Sequence, residues 1–197
     1  MPTRQLVLAS ASPARLKLLR DAGFDPKVVV SGVDEDVESS SPHELVETLA
    51  VRKARAVVAA TEADALVVGC DSMLLFNGEL MGKPPTVEIA RQRWQQIAGH
   101  EGLLLTGHSV IDVATGNMSS GVAATTVRFG TPTAGELEAY LATGEPQRVA
   151  GAFTLDGFAG PFIDGIDGDH GNVIGLSLPL LRRLLHDLDV EITDLWR

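Results

Sequence analysis

A chain of 197 residues with 45% hydrophobic and 21% charged residues can bury one substantial core, and it is excluded from the disordered, collagenous and coiled-coil classes. Its net charge of -10 disfavours broad attraction to nucleic-acid backbone or anionic lipid, so a polyanionic ligand would need cations gathered locally. The single cysteine, Cys70, allows no internal disulfide, and Met1 to Arg20 lacks the basic start and long apolar run of a signal peptide. The apolar run Ala63 to Phe76 is interrupted by Asp64, Asp71 and Ser72 and is shorter than a membrane span. The expectation is a soluble cytoplasmic protein forming one compact domain over residues 1–197, without repeats or linkers.

Gln5 to Ala9 reads as a short buried strand, and Ser12 and Pro13 are the N-cap and first residue expected of a helix carrying Leu16, Leu18, Leu19 and Ala22 up to Gly23. Lys27 to Val30 reads as a second strand, followed by an acidic loop, Asp34 to Glu38. Ser41-Pro42-His43-Glu44 has capping-box spacing and opens a long helix to about Ala60. Ala65 to Cys70 is a continuous Val-rich run, expected as a central strand ending at Asp71.

Met73 to Phe76, Asn77-Gly78 and Glu79 to Met81 form a hairpin pattern, and Val87 to Ile97 a helix closed by Gly99. Two long antiparallel strands are expected between Leu103 and Phe129, turning at Thr115 to Asn117. Thr133 to Glu136 is a second capping box, opening a helix that stops at Gly144. Ala152 to Leu155 and Pro161 to Ile163 read as short strands, Asp164 to Asp169 as a loop without EF-hand spacing, and Leu178 to Leu188 as the closing helix. The pattern is α/β.

Three groups of residues can carry chemistry. At Ser10, Ser12 and Arg15 a strand-to-helix turn sets two hydroxyls and a guanidinium beside free N–H groups, which suits a phosphate as well as it suits an ordinary helix cap. Among only four lysines, Lys53 stands on the long helix and Lys83 between Gly82 and Pro84, where the loop restricts its direction. Asp71 and Glu35 lie where sheet topology can bring them to one rim; two close carboxylates need a cation between them, as in Mg²⁺ sites on phosphate substrates. Asp71 serves structural capping equally well on residue type alone. The five histidines show no zinc spacing, no Walker loop or Gly-x-Ser-x-Gly is present, and Cys70 reads as a core residue.

Taken together, these residues resemble the Maf family of nucleoside triphosphate pyrophosphatases, once described as septum formation inhibitors. The resemblance is carried, in order, by Leu8 to Arg15, Asp34-Glu35, Lys53-Ala54, Gly69 to Ser72, Gly82-Lys83-Pro84, Thr143 to Pro146, Ala150 to Phe153 and Val173 to Ser177, where the family's last motif ends in proline. It implies an elongated mixed β-sheet flanked by helices, two lobes around a central cleft, similar to inosine triphosphatase-like enzymes, and a homodimer. It further implies Asp71 as proton acceptor, Lys83 and Glu35 with it in catalysis, and Ser10, Ser12, Arg15 and Lys53 lining the site. A divalent metal, Mg²⁺ or Mn²⁺, would be held by Glu35 and Asp71.

The family's two specificity groups differ at the places of Ala14, Ser72 and Asp156, and this chain fits neither; Ser72 and Asp156 are expected to face the substrate. The expected reaction is hydrolysis of the α,β-phosphoanhydride of a nucleoside triphosphate, with no nucleic-acid polymer or membrane as partner. The rivals are a non-catalytic nucleotide-binding regulator of cell division and a house-cleaning enzyme for inosine or xanthosine triphosphate.

Overall fold

The structure is a computed structural model describing residues 4–37 and 39–197; Met1 to Thr3, at the chain start, and Glu38, the last acid of the acidic run, lie outside the described residues. One mixed sheet runs in the order β2 (Lys27–Val28), β1 (Leu6–Leu8), β3 (Leu66–Phe76), β5 (Glu101–Asp112), β6 (Met118–Phe129), β7 (Ile163–Asp167), with β4 (Glu79–Met81) on β3. β1 is parallel to β2 and β3, whereas β4 and β7 are antiparallel to their neighbours, so the mixed α/β expectation holds. The helices are α1 (Pro13–Asp21), α2 (Pro42–Val58), α3 (Val87–Ile97), α4 (Ala134–Ala142), the short α5 (His170–Ile174) and α6 (Leu178–His186). The chain divides into two compact units: one of Met1–Asp71, Thr106–Ala123 and Gly175–Arg197, the other of Ser72–Leu105 and Ala124–Ile174.

In the first unit, strand periodicity sorts side chains to two helical layers. Leu6, Leu8, Leu66, Val68, Cys70 and Val110 pack with Leu19 of α1 and Leu181, Leu184 and Leu185 of α6. Val7, Ala9, Val67 and Ile111 pack with Ala54 and Val57 of α2. By the same alternation Gly69 and Asp71 belong to the α2 face. Two glycines let α2 lie close: a Cβ on Gly69 would sit 2.2 Å from the Ala50 carbonyl oxygen, and one on Gly107 2.0 Å from that of Val46.

The second unit is centred on Trp94, fully buried and edge-to-face with Phe129, Tyr140 and Phe162. Its indole N–H donates to the Ala152 carbonyl at 2.8 Å, which also accepts from the Tyr140 hydroxyl at 3.2 Å.

Five expectations need correction. β3 does not end at Asp71 but continues to Phe76, because Leu74 and Phe76 bury their side chains and 74–76 pair with β4. Ala152 to Leu155 is no strand: Ala150–Ala152 is a 3₁₀ turn with φ of 68° at Gly151 and 62° at Ala152, which strand pairing excludes. Pro161 lies in another such turn, Gly160–Phe162, and the loop expected at Asp164 to Asp169 is largely β7, paired with Thr126 to Phe129. The capping box at Ser41 is half formed. Its hydroxyl accepts from the Glu44 N–H at 3.2 Å, but the Glu44 carboxylate accepts from Ser40, because Ser41 N–H donates to the Ser39 hydroxyl. At Thr133 and Glu136 both halves are present.

Candidate active site

Lys53 is the hub of the first unit's polar cluster. Its Nζ lies 2.5 Å from Asp71 Oδ1 and 2.6 Å from Glu35 Oε1, so the cation between the two carboxylates is this ammonium. The local fold explains the meeting. Gly69 lets α2 approach β3 at Ala50 and Ala54, and Lys53, one residue before Ala54, reaches two residues along the same strand face to Asp71. The side chains of Lys53 and Asp71 are 12% and 8% exposed, against 60% for Glu35, so the pair is desolvated on one side and open on the other.

Burial pushes the Asp71 carboxyl above its ordinary range, opposed by the Lys53 and Arg15 charges and reinforced by Glu35. The magnitudes agree: an ion pair near 4 Å gains about 4 kcal/mol at an effective dielectric of about 20, while desolvating each ion costs several kcal/mol. Asp71 Oδ2 is buried with no hydrogen-bond partner among the described residues, a further cost to its charged form. The neighbouring Cys70 thiol is pushed up to about 11 by burial, which leaves it an inert core group as its sequence setting implied.

The strand-to-helix turn after β1 forms the second element. Ser12 is the N-cap of α1, its Oγ accepting from Arg15 N–H, and Ser10 Oγ accepts from Ser12 N–H at 3.2 Å. Arg15, only 9% exposed, turns back beneath this loop. Its Nη1 donates to Ser10 Oγ at 3.1 Å and to the Cys70 carbonyl at 2.9 Å, and its Nε to the Gly175 carbonyl at 2.7 Å. The guanidinium thus ties the helix-mouth loop, the residue before Asp71 and the turn before α6 to one another.

The structure brings together Ser10, Ser12, Arg15, Glu35, Lys53 and Asp71 within the first unit. The other expected site residues, Ser72, Lys83 and Asp156, belong to the second. Ser72 is half-buried on β3; Asp156 is exposed in a bend. Lys83 is exposed in the loop after β4, between the buried Pro84 and Gly82, whose carbonyl accepts from Arg93 Nη1 at 2.6 Å and from Gly151 N–H at 3.2 Å. Sequence reasoning missed Gly69 and Gly175. A glycine inside a Val-rich run is a signal of close backbone approach, so Gly69 was legible in principle; the Gly175 turn has φ of 126° and shows only in three dimensions.

An α/β sheet with a buried carboxylate–ammonium pair and a hydroxyl-lined helix mouth is a frame for handling anionic substrates. Residues 5–188 match the family described as Maf-like protein, and the chain belongs to that family. It is 60% identical to a protein from Streptomyces coelicolor named nucleoside triphosphate pyrophosphatase, over 99% of this chain and 96% of that one. Proteins of the same name from Saccharopolyspora erythraea and Nocardia farcinica are 54% and 53% identical over 98% and 99% of this chain and 97% and 98% of theirs.

Proposed function

We propose that this protein is a nucleoside triphosphate pyrophosphatase, hydrolysing the α,β-phosphoanhydride to a nucleoside monophosphate and pyrophosphate. The observation that carries the reading is the Asp71–Lys53 pair. A carboxyl raised by burial is a stronger base than an exposed one; the ammonium on Oδ1 opposes the rise, and Oδ2, with no hydrogen-bond partner among the described residues, is proposed to take the water proton. In the proposed step the water oxygen bonds to the α-phosphorus as its proton passes to Asp71, and the bond to the bridging oxygen breaks with release of pyrophosphate. Ser10, Ser12, the α1 N-terminus and Arg15 are proposed to supply dipoles and charge for the phosphates, and Lys83 is proposed to offset charge growing on the transferred oxygens.

The donors also fit a divalent cation. Glu35, exposed on its open side, and Asp71 are hard oxygen donors, and Mg²⁺ or Mn²⁺ commonly takes one or two carboxylates together with substrate phosphates. Bound there, the metal would neutralise phosphate charge and lower the pKa of a bound water. Ser72, Asp156 and Ala14 are proposed to set base preference, and the protein to act as a cytoplasmic homodimer. No helix among the described residues is long and apolar enough to cross a membrane.

The test is a panel of nucleoside triphosphates, deaminated and methylated bases included, with and without Mg²⁺ or Mn²⁺ and with chelator. Pyrophosphate release that chelator abolishes is the expected outcome. Orthophosphate release would make the protein a phosphatase, and nucleotide binding without release would favour the regulator.

A further inference from the structure

His108 is a fully buried histidine that the proposed chemistry does not use. It lies on β5, on the face shared by α1 and α6, since its neighbour Gly107 is turned to α2 and Val110 packs with the α6 layer. Its Nε2 accepts from the Ser177 N–H at 2.8 Å, and Nδ1 is 2.9 Å from the Thr106 carbonyl. Those two partners assign the proton to Nδ1 and leave the ring neutral.

Ser177 is also the N-cap of α6, its Oγ accepting from Leu180 N–H at 3.2 Å. Two residues earlier, the Gly175 carbonyl holds Arg15 Nε at 2.7 Å, in a backbone conformation at φ of 126° where a Cβ would come within 3.2 Å of Arg15 Nε. The turn Gly175 to Ser177 is therefore held at one end by Arg15 and at the other by His108. A proline at 177 would have no N–H to give, so the bond to His108 depends on the residue this chain carries there.

We infer that His108 is a positioning residue for Arg15: its neutral imidazole pins the Gly175–Ser177 turn, and the turn sets the guanidinium beside the Cys70 carbonyl, next to Asp71. The inference deepens the pyrophosphatase reading, because Arg15 is there assigned to the substrate phosphates. Without an acceptor at Nε2, the Ser177 N–H is buried and unpaired, and the turn relaxes toward another partner. Arg15 then loses its fixed Nε contact while keeping those to Ser10 and Cys70.

The experiment measures two properties of His108→Leu: the exchange rate of the Arg15 Nε–H by NMR, and pyrophosphate release. Expected are faster Nε–H exchange and a fall of about tenfold in kcat/KM, with most of both recovered in His108→Gln, whose amide oxygen can accept where Nε2 stood. Should His108→Leu fail to fold, Ser177→Pro removes the donor instead, with Ser177→Ala as the control that loses the cap hydroxyl but keeps the N–H. Leu184→Val, a core truncation in the same layer, reports what lost stability alone does. Unchanged Nε–H exchange in His108→Leu and Ser177→Pro, or the same losses in Leu184→Val, would overturn the inference. If the unaltered protein releases no pyrophosphate, the functional reading fails, and the Nε–H exchange still decides the role of His108.

Discussion

The Lys53 ammonium stands 2.5 Å from Asp71 Oδ1, on a helix brought down onto β3 by the missing side chain of Gly69. A backbone fact thereby sets an electrostatic one. Burial drives the Asp71 carboxyl upward, and the lysine limits how far.

Replacing Asp71 with asparagine separates its chemical from its structural cost. Turnover should fall by at least about 10²-fold while triphosphate still binds, the size of loss seen when a general base is removed. Stability should move the other way. A carboxyl raised in the folded state lends stability at pH values below its unfolded value and loses it as pH rises through the folded one. The substituted amide does not titrate, so Asp71→Asn should melt above the parent at neutral pH. The advantage should shrink as pH falls below the ordinary carboxylate range, and melting curves from acid to neutral pH check it.

Lys53→Gln keeps a polar contact to Asp71 but removes the charge that opposes burial. The Asp71 carboxyl should then rise further, and the acid limb of the pH–turnover profile should move to higher pH. Turnover at neutral pH should fall by about 10²–10³-fold, as for loss of one preorganised electrostatic contact. An acid limb that stays in place would separate the limb from Asp71.

Gly69→Ala tests the backbone origin of the pair. Its Cβ would meet the Ala50 carbonyl oxygen at 2.2 Å and the Ala54 nitrogen at 2.8 Å, both backbone atoms that cannot swing aside. Lifting α2 costs about 1–3 kcal/mol by overpacking, and it also withdraws Lys53 from Asp71, so activity per folded molecule should drop with the melting temperature. Gly135→Ala in α4, with nothing within 4 Å of the added carbon, should be neutral or stabilising by up to about 1 kcal/mol.

The parts of this site legible in sequence are those fixed by local chemistry. Ser12, Ser41 and Thr133 announce their helices because an N-cap bond spans three residues, and the Asn77-Gly78 turn has the positive φ values its dipeptide implies. What fails depends on distant partners. Asp71-Ser72 reads as the end of a strand because a charge interrupts an apolar run, yet β3 continues since the charge is met by Lys53 from α2. β7 is hidden among Asp and Gly residues whose strand conformation comes from pairing with β6. The two carboxylates do have a cation between them, as their residue types require, but nothing in the spacing says that a side chain of this chain provides it.

The proposed homodimer has a surface suited to it. Glu44, Glu47, Thr48, Val51, Arg52 and Arg55 line one groove with Ser120, on the flank of α2 turned away from Lys53. Were two α2 helices to pair antiparallel about a two-fold axis between Leu49 and Ala50, Glu44 would stand opposite Arg55 and Glu47 opposite Arg52 of the second copy, with Thr48 and Val51 at the centre. The pattern is self-complementary, which an isologous interface requires. Single exposed pairs contribute at most about 1 kcal/mol, but symmetry counts each twice and reversal replaces attraction with repulsion. On the proposed dimer, the parent should sediment as a dimer and Arg52→Glu with Arg55→Glu as a monomer. Adding Glu44→Arg and Glu47→Arg to the same chain restores opposite signs across the axis and should restore the dimer. A doubly reversed variant that stays dimeric would place the interface on another surface.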